Sequence, residues 1–368
     1  MCYITGSMSG RELRSPEKNK TPPVDFLRRT GGCAHLPCRE VCPTCLPEEF
    51  LLPHASSALY KTIPLSRAGI YGKDPWPEQR PSRDGTMKTD LLLDVGGNGI
   101  KGAACPCGGV PGPIREFPAH SDAPRNTLIA HFSGILRTLA GEQAVGRIAM
   151  AFPGPFDYAR GIPRMRGLAK YESLYGVALP EALEADGISA EGWAFINDVS
   201  AYALGACAAL SPSHRALAVC FGTGAGSAFL LNGKLCTDPA EGIPENGWIY
   251  ALPFRESILD DYLSDRGIRA LSRRMLGKEY SPLELNQAQS LCDPVWQAFG
   301  QDLLDGLKPV LCAFRPTDLV MGGKISLAWE RFGAPLGTYC ASMGIRVRVA
   351  PNTSEHVIHG LLRFLASV

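Results

Sequence analysis

The chain has 368 residues, with 37 Lys and Arg against 36 Asp and Glu and a formal net charge of +1. That length accommodates two lobes and a sizeable core, while the scattered, balanced charge gives no basic footprint for nucleic acid and no acidic tail. No apolar run reaches the length of a membrane span and residues 1–11 lack the apolar centre of a signal peptide, so the expectation is a cytoplasmic protein without membrane or nucleic-acid partners.

Residues 1–86 differ in kind from the rest. They are rich in proline and have no sustained helical or alternating period, which predicts a disordered extension. Within them Cys38, Cys42 and Cys45, with Cys33 upstream, form a C-x3-C-x2-C run that resembles the iron–sulfur loop of radical-SAM enzymes. The alternating strands and helices of those enzymes' barrel do not follow it. Met87-Lys88-Thr89-Asp90 stands directly before the first clear strand, as an initiator would. The expectation is that residues 1–86 come from an upstream start and that the working chain begins at Met87. Mass spectrometry of the natively expressed N-terminus tests this.

After Met87 the pattern becomes regular. Residues 90–95, 100–105 and 114–117 read as strands joined by glycine-rich turns, the first of them Leu91-Leu92-Leu93-Asp94-Val95-Gly96-Gly97-Asn98-Gly99. Leu128, Ile129, Phe132, Ile135, Leu136 and Leu139 then recur at helical spacing over 124–139. Residues 147–152 form another apolar strand, ending in Pro153-Gly154-Pro155-Phe156-Asp157. A short strand at 194–196 runs into Asn197-Asp198 and a small-residue helix over 200–210. The opening pattern then returns: strand 216–221, the turn Gly222-Thr223-Gly224-Ala225-Gly226, strand 227–231 and the hairpin turn Asn232-Gly233. A helix over 295–314 leads to a last glycine element, Leu319-Val320-Met321-Gly322-Gly323-Lys324. The eight cysteines of this region, Cys105, Cys107, Cys207, Cys220, Cys236, Cys292, Cys312 and Cys340, read as buried free thiols rather than disulfides, because the total of 13 is odd and no export signal is present.

Each piece alone has an ordinary structural reading: a glycine hairpin, a helix cap, a turn. Their ordered combination points to phosphoryl transfer. Glycine turns let backbone N–H groups approach an anion, a carboxylate closing a strand can hold a hydrated cation, and a second carboxylate can accept the proton of an attacking hydroxyl.

These residues resemble the ROK family of sugar kinases and repressors, within the actin-like (sugar kinase/Hsp70) ATPase superfamily. The resemblance is carried by Asp94-Val-Gly-Gly-Asn-Gly, residues 151–157, Asn197-Asp198, residues 221–226 with Asn232-Gly-Lys234, and Met321-Gly-Gly323. It implies an α/β, two-lobed, actin-like (ribonuclease H-like) fold with a five-stranded sheet in each lobe and a central cleft. The lobes would span 87–200 and 201–354, with a last helix over 355–368 packing back on the first. Carried over by motif, Asp94 would position Mg²⁺ through water. Gly96, Gly97, Asn98, Lys101, Gly222, Thr223 and Gly224 would meet the phosphates of ATP, and Gly322 and Gly323 the nucleoside. Asp198 would be the base, with Asn197, Gly154, Asp157 and Glu245 at the sugar. Asp157 could equally cap a turn.

The chain also departs from the family. Where a Glu-x-Gly-His motif is usual, it has Glu245-Asn246-Gly247-Trp248, so Trp248 replaces the His, either stacked on a sugar face or buried. The zinc-binding cysteine run is absent, and Cys105-Pro-Cys107 reads as a hairpin rather than a metal site, so no structural zinc is expected. The resulting expectation is a glucokinase-like kinase that transfers the γ-phosphoryl group of ATP, or phosphate from polyphosphate, to a hydroxyl of a hexose or amino-hexose, the 6-hydroxyl in the glucokinase-like case, and the family resemblance implies a homodimer. Two alternatives stand beside it: a sugar-responsive transcriptional regulator, although residues 1–86 show no helix–turn–helix pattern, and a family member that binds sugar without turnover.

Overall fold

The computed structural model describes residues 61–62, 88–106, 109–167, 170–211, 213–288, 293–350 and 352–368. The predicted extension over 1–86 and the start at Met87 lie outside the described residues, except for Lys61–Thr62, which form a short strand, β1. The same holds for the N-terminal cysteines and for Cys107 and Cys292. The six described cysteines are free thiols; Cys105, Cys207 and Cys340 are buried, and Cys312 is exposed rather than buried as expected.

The first sheet contains β2 (Thr89–Val95), β3 (Gly99–Pro106), β4 (Arg115–Pro118), β5 (Val145–Phe152) and β8 (Gly192–Asn197), in the order β4-β3-β2-β5-β8. A small ribbon of β6 (Phe156–Asp157) and β7 (Ile162–Pro163) lies between the last two in sequence. β2 is antiparallel to β3 and parallel to β5, which is parallel to β8. A central strand with both faces covered must be apolar on both, and Leu91, Leu92 and Leu93 are all fully buried. Leu91, Leu93 and Val95 pack with Leu128, Phe132, Ile135 and Leu136 of helix α1 (Arg125–Ala140); Leu92 points to the other face.

The second sheet contains β9 (Arg215–Phe221), β10 (Ala225–Leu231), β11 (Lys234–Cys236), β14 (Asp318–Gly322) and β15 (Arg346–Val349), and β1 extends it beside β15. It therefore has six strands where five were implied. A ribbon of β12 (Pro253–Phe254) and β13 (Ser257–Ile258) lies apart. The longer helices after α1 are α2 (Asp198–Ala206), α3 (Asp265–Leu276), α4 (Asp293–Phe314), α5 (Ala334–Ser342) and α6 (Thr353–Leu365). Leu217, Val219 and Phe221 on one face of β9 pack into a large cluster with Phe299, Leu303 and Leu307 of α4.

The other faces of both sheets meet a common middle layer formed by α2 and α6. That cluster joins Leu92, Ala149 and Ala151 of the first sheet, Ala216, Ala218 and Val320 of the second, and Val357, Leu361 and Leu365 of α6. Alanines on the facing strands and glycines on the helices are what let the layers approach closely. A Cβ at Gly205 of α2 would collide with the His356 carbonyl, and one at Gly360 of α6 with the Ala201 carbonyl. α6 also touches β2, β3 and β5, and the Arg147 guanidinium donates to the Leu365 carbonyl at 2.6 Å. Among the described residues no helix is long and apolar enough to cross a membrane.

Candidate active site

The carboxyl ends of the parallel strands converge on one cleft, as ligand sites in open α/β sheets do. Asp94 lies near the end of β2, in register with Ala151 of β5; Phe152 is in register with Asn197, the last residue of β8. Gly154 lies two residues beyond β5, separated from it by Pro153, and is joined to Pro155 by a cis peptide bond. In the second sheet, Gly222 follows β9, and Gly322 ends β14 opposite Cys220.

The first glycine turn is tight. The Gly96 N–H donates to the Gly99 carbonyl at 3.0 Å, and a Cβ at Gly96 would sit 2.9 Å from that same oxygen. Two side chains from elsewhere fix the turn: the Tyr171 hydroxyl donates to the Gly96 carbonyl at 2.7 Å, and Ser121 Oγ to the Gly97 carbonyl at 2.8 Å. Asn98 is exposed at its tip. Lys101 is paired across the strands with Asp94 and lies 3.4 Å from Glu116.

Asp94 and Asp198 form the electrostatic centre. Both are half-buried on the cleft floor. Burial pushes the Asp94 carboxyl up to about 6; the Ser354 hydroxyl opposes that rise, and the charge of Asp198 adds to it. Burial also raises Asp198, opposed by its hydrogen bond from the Val199 N–H and by the charge of Lys170. Asp198 opens α2, where the positive end of the helix favours a carboxylate. Asn197 is the N-cap: its side-chain oxygen accepts from the Val199 and Ser200 N–H groups at 3.0 and 3.1 Å. Its amide nitrogen donates to Asp198 at 2.9 Å and to the Tyr158 hydroxyl at 3.3 Å. Asn197 therefore aims the acid beside it. The helix begins two residues before its expected start because of this cap, and ends at Ala206 rather than 210.

The second sheet reaches the same floor. Burial pushes the Cys220 thiol, one residue before Phe221 at the end of β9, well above its ordinary value, and the charges of Asp198 and Asp94 raise it further. The start of α6 touches both sides: Ser354 hydrogen-bonds Asp94, while Thr353 Oγ1 accepts the Gly323 N–H at 3.1 Å. The Gly222–Gly226 turn is braced by acidic residues. The Ala225 N–H donates to Asp260 at 2.7 Å, and the Asp265 N–H to the Gly222 carbonyl at 2.8 Å. Thr223 is exposed at the tip. Gly322 packs against the Tyr202 ring, and Gly323 has φ +84° with the Phe221 carbonyl where a Cβ would be, so this pair is demanded by packing as well as suited to a ligand.

The expected sugar residues are placed unevenly. A Cβ at Gly154 would lie 3.5 Å from the Tyr158 hydroxyl, itself bonded to the Phe152 carbonyl. Asp157 is held in its own turn, accepting from the Arg160 N–H at 3.2 Å and lying 3.8 Å from Arg164. Glu245 is exposed on a single 3-10 turn anchored through Ser227 Oγ, which donates to the Gly247 carbonyl at 2.6 Å and accepts the Ile249 N–H at 3.0 Å. Trp248 is 49% exposed, with its ring centroid 5.8 Å from that of Tyr250, so it is not the buried tryptophan of the second expectation. Cys105 is buried and its thiol lies 3.3 Å from the Gly109 carbonyl. Among the described residues no three His, Cys, Asp or Glu side chains gather as a metal cluster. Tyr158, Lys170, Tyr171, Ser354 and Asp260 lie in loops or helix starts where no periodicity marks them, so the sequence pattern does not single them out.

The model of the ROK family matches residues 92–343. No curated protein sequence matches the chain. Among solved structures it is similar to a ROK hexokinase from Thermus thermophilus, at 18% identity and a TM-score of 0.62, covering 76% of this chain and 99% of that one. It is also similar to a ROK family glucokinase from Streptomyces griseus in complex with glucose and AMPPNP, at 13% identity and a TM-score of 0.58, covering 75% and 98%. A ROK family transcriptional regulator, homologous to the MLC protein of E. coli, shares 18% identity with a TM-score of 0.56, covering 76% of this chain and 80% of that one. The two-lobed fold is thus the actin-like ATPase fold of these neighbours, and the chain belongs to the ROK family.

Proposed function

We propose that the protein is a kinase that transfers the γ-phosphoryl group of ATP to a hydroxyl of a hexose or amino-hexose. The observation that carries this reading is the pair of carboxylates, Asp94 and Asp198, on a cleft floor reached by both glycine turns. Asp198, aimed by Asn197, accepts the proton of the sugar hydroxyl as its oxygen attacks the γ-phosphorus. The Gly96–Gly99 and Gly222–Gly226 turns hold the phosphates, and Gly322 and Gly323 lie under the nucleoside. Gly154, Glu245 and the exposed ring of Trp248 orient the sugar. The donor set suits Mg²⁺, which keeps several waters and needs only one or two protein carboxylates. Asp94, burdened by burial and by the charge of Asp198, is relieved by a cation. When bound, the ion neutralises charge on the phosphate oxygens.

A regulator is the second reading, favoured by the likeness to a regulator of the same fold. Two retained acids support turnover instead. The test is ADP release over a panel of hexoses with ATP, and sugar phosphate formation with polyphosphate. A sugar-dependent rate is expected, and Asp198→Ala should lower it by about 10²–10⁴-fold while nucleotide binding persists. Unchanged turnover in that variant removes Asp198 from the mechanism. Salt-sensitive, specific DNA binding without turnover supports the regulator.

A further inference from the structure

Lys170 carries a charge that no glycine motif announces. Its side chain lies along the first hairpin: a Cβ at Gly97 would be 3.1 Å from its Cδ, 3.9 Å from its Cε and 3.8 Å from its Nζ. The ammonium group is thus about 4 Å from the space that a side chain at Gly97 would fill, beside the turn expected to meet a phosphate. The same group lies close enough to Asp198 to act on its charge. It is half-buried, and among the described residues it has no carboxylate within ion-pair distance. Lys101, the cation expected at the phosphates, stands differently: it lies 3.4 Å from Glu116.

The position of Lys170 is built rather than incidental. Its neighbour Tyr171 is fully buried and has φ +55°, a left-handed conformation that an aromatic residue rarely adopts without being held. Tyr171 is held at both ends, by its N–H donating to the Ser121 carbonyl at 2.5 Å and by its hydroxyl donating to the Gly96 carbonyl at 2.7 Å. Ser121 in turn donates to the Gly97 carbonyl. The residue that carries Lys170 into the cleft is therefore pinned to the turn over which the lysine lies.

We infer that Lys170 is a catalytic residue that donates hydrogen bonds to a non-bridging oxygen of the phosphoryl group in transit. The inference rests on the kinase reading above. In the step, the sugar oxygen forms a bond to the γ-phosphorus and the bridging bond to the β-phosphate breaks, its electron pair leaving with ADP. The hydroxyl proton passes to Asp198. Lys170 keeps its own proton and neutralises charge that is greatest in the transition state, so it acts mainly on kcat. Its second effect is on Asp198, whose carboxyl its charge lowers against the rise that burial causes.

The test uses the full-length chain and the sugar that gives turnover with ATP. Lys170→Met should lower kcat by about 10²–10³-fold, with the sugar KM within about threefold of wild type and an unchanged melting temperature. Lys170→Arg, which keeps the charge, should recover part of the rate. The acidic limb of the pH–kcat profile should move to higher pH in Lys170→Met, which loss of packing alone would not produce. A kcat within about threefold of wild type in Lys170→Met overturns the inference, as does a loss that appears in KM, follows a lowered melting temperature, or is not relieved in Lys170→Arg. Absence of sugar-dependent turnover in the wild type overturns the kinase reading and this assignment with it, whereas an active wild type with an unimpaired Lys170→Met overturns this assignment alone.

Discussion

The two glycine hairpins have the same sequence pattern and surroundings that differ in charge. The first, at Gly96–Gly99, is fixed through its carbonyls by Tyr171 and Ser121, and Lys170 lies along it. The second, at Gly222–Gly226, is fixed through the Gly222 carbonyl by the Asp265 N–H and also through the Ala225 N–H by the Asp260 carboxylate, which pairs with Arg266 as well. Anchoring a turn by its carbonyls leaves N–H groups available to an anion, whereas anchoring by an N–H to a carboxylate places negative charge beside the turn. The repeat in sequence therefore does not imply two equivalent phosphate sites. The acids attached to each hairpin should differ in sign: Asp94 is kept at the expense of stability, and Asp260 for the sake of it.

Replacing Asp94 by Asn should have the largest effect. The folded-state value of about 6 lies above the ordinary 3.8, so the folded protein holds a proton that the unfolded chain has released. The ionised carboxylate thus destabilises the free protein fully above about pH 6, and the penalty disappears as pH falls to about 3.8. The shift corresponds to at most about 3 kcal/mol, less to the extent that solvent reaches the cleft floor. Asp94→Asn should raise the stability of the free protein in denaturant melts at pH 7–8 by about 1–3 kcal/mol and lose this gain towards pH 4, while sugar-dependent turnover collapses. Equal stability of the two proteins at pH 8 removes the strain assigned to Asp94.

How far this arrangement could be read from the sequence depended on whether a residue sat on a periodic element. Leu91–Leu93, the α1 face and both glycine turns follow hydrophobic period and turn chemistry, and the structure has them within a few residues. β15 was missed although Arg346-Val347-Arg348-Val349 alternates, because both arginines turn to the buried Asp318 at 3.0 and 2.9 Å and mask an interior strand as a polar one. Lys170 and Ser354 belong to no period. Their roles arise from distant segments, Gly97 and Asp94, brought beside them by the fold.

At the second hairpin, Asp260→Ala should destabilise rather than stabilise. It leaves the Ala225 N–H without its acceptor, at a cost of about 1–3 kcal/mol. The pair with Arg266, whose side chain is 60% exposed, adds little. Denaturant melts of the two aspartate variants side by side make the contrast measurable. A stability gain in Asp260→Ala would erase the distinction between the hairpins.

Gly222→Ala should have the smallest effect on the free protein. Nothing lies within 4 Å of a Cβ at this position, and its φ is not in the left-handed region, so stability should change by less than about 0.5 kcal/mol. The open space makes the variant informative. A rise of tenfold or more in the ATP KM, with the melting temperature unchanged, would mean that a phosphate packs on the Gly222 backbone, since no protein group is there to be disturbed. An unchanged KM would assign the phosphates to the first hairpin and leave the second, braced by Asp260 and Asp265, as the wall of the cleft rather than its second jaw.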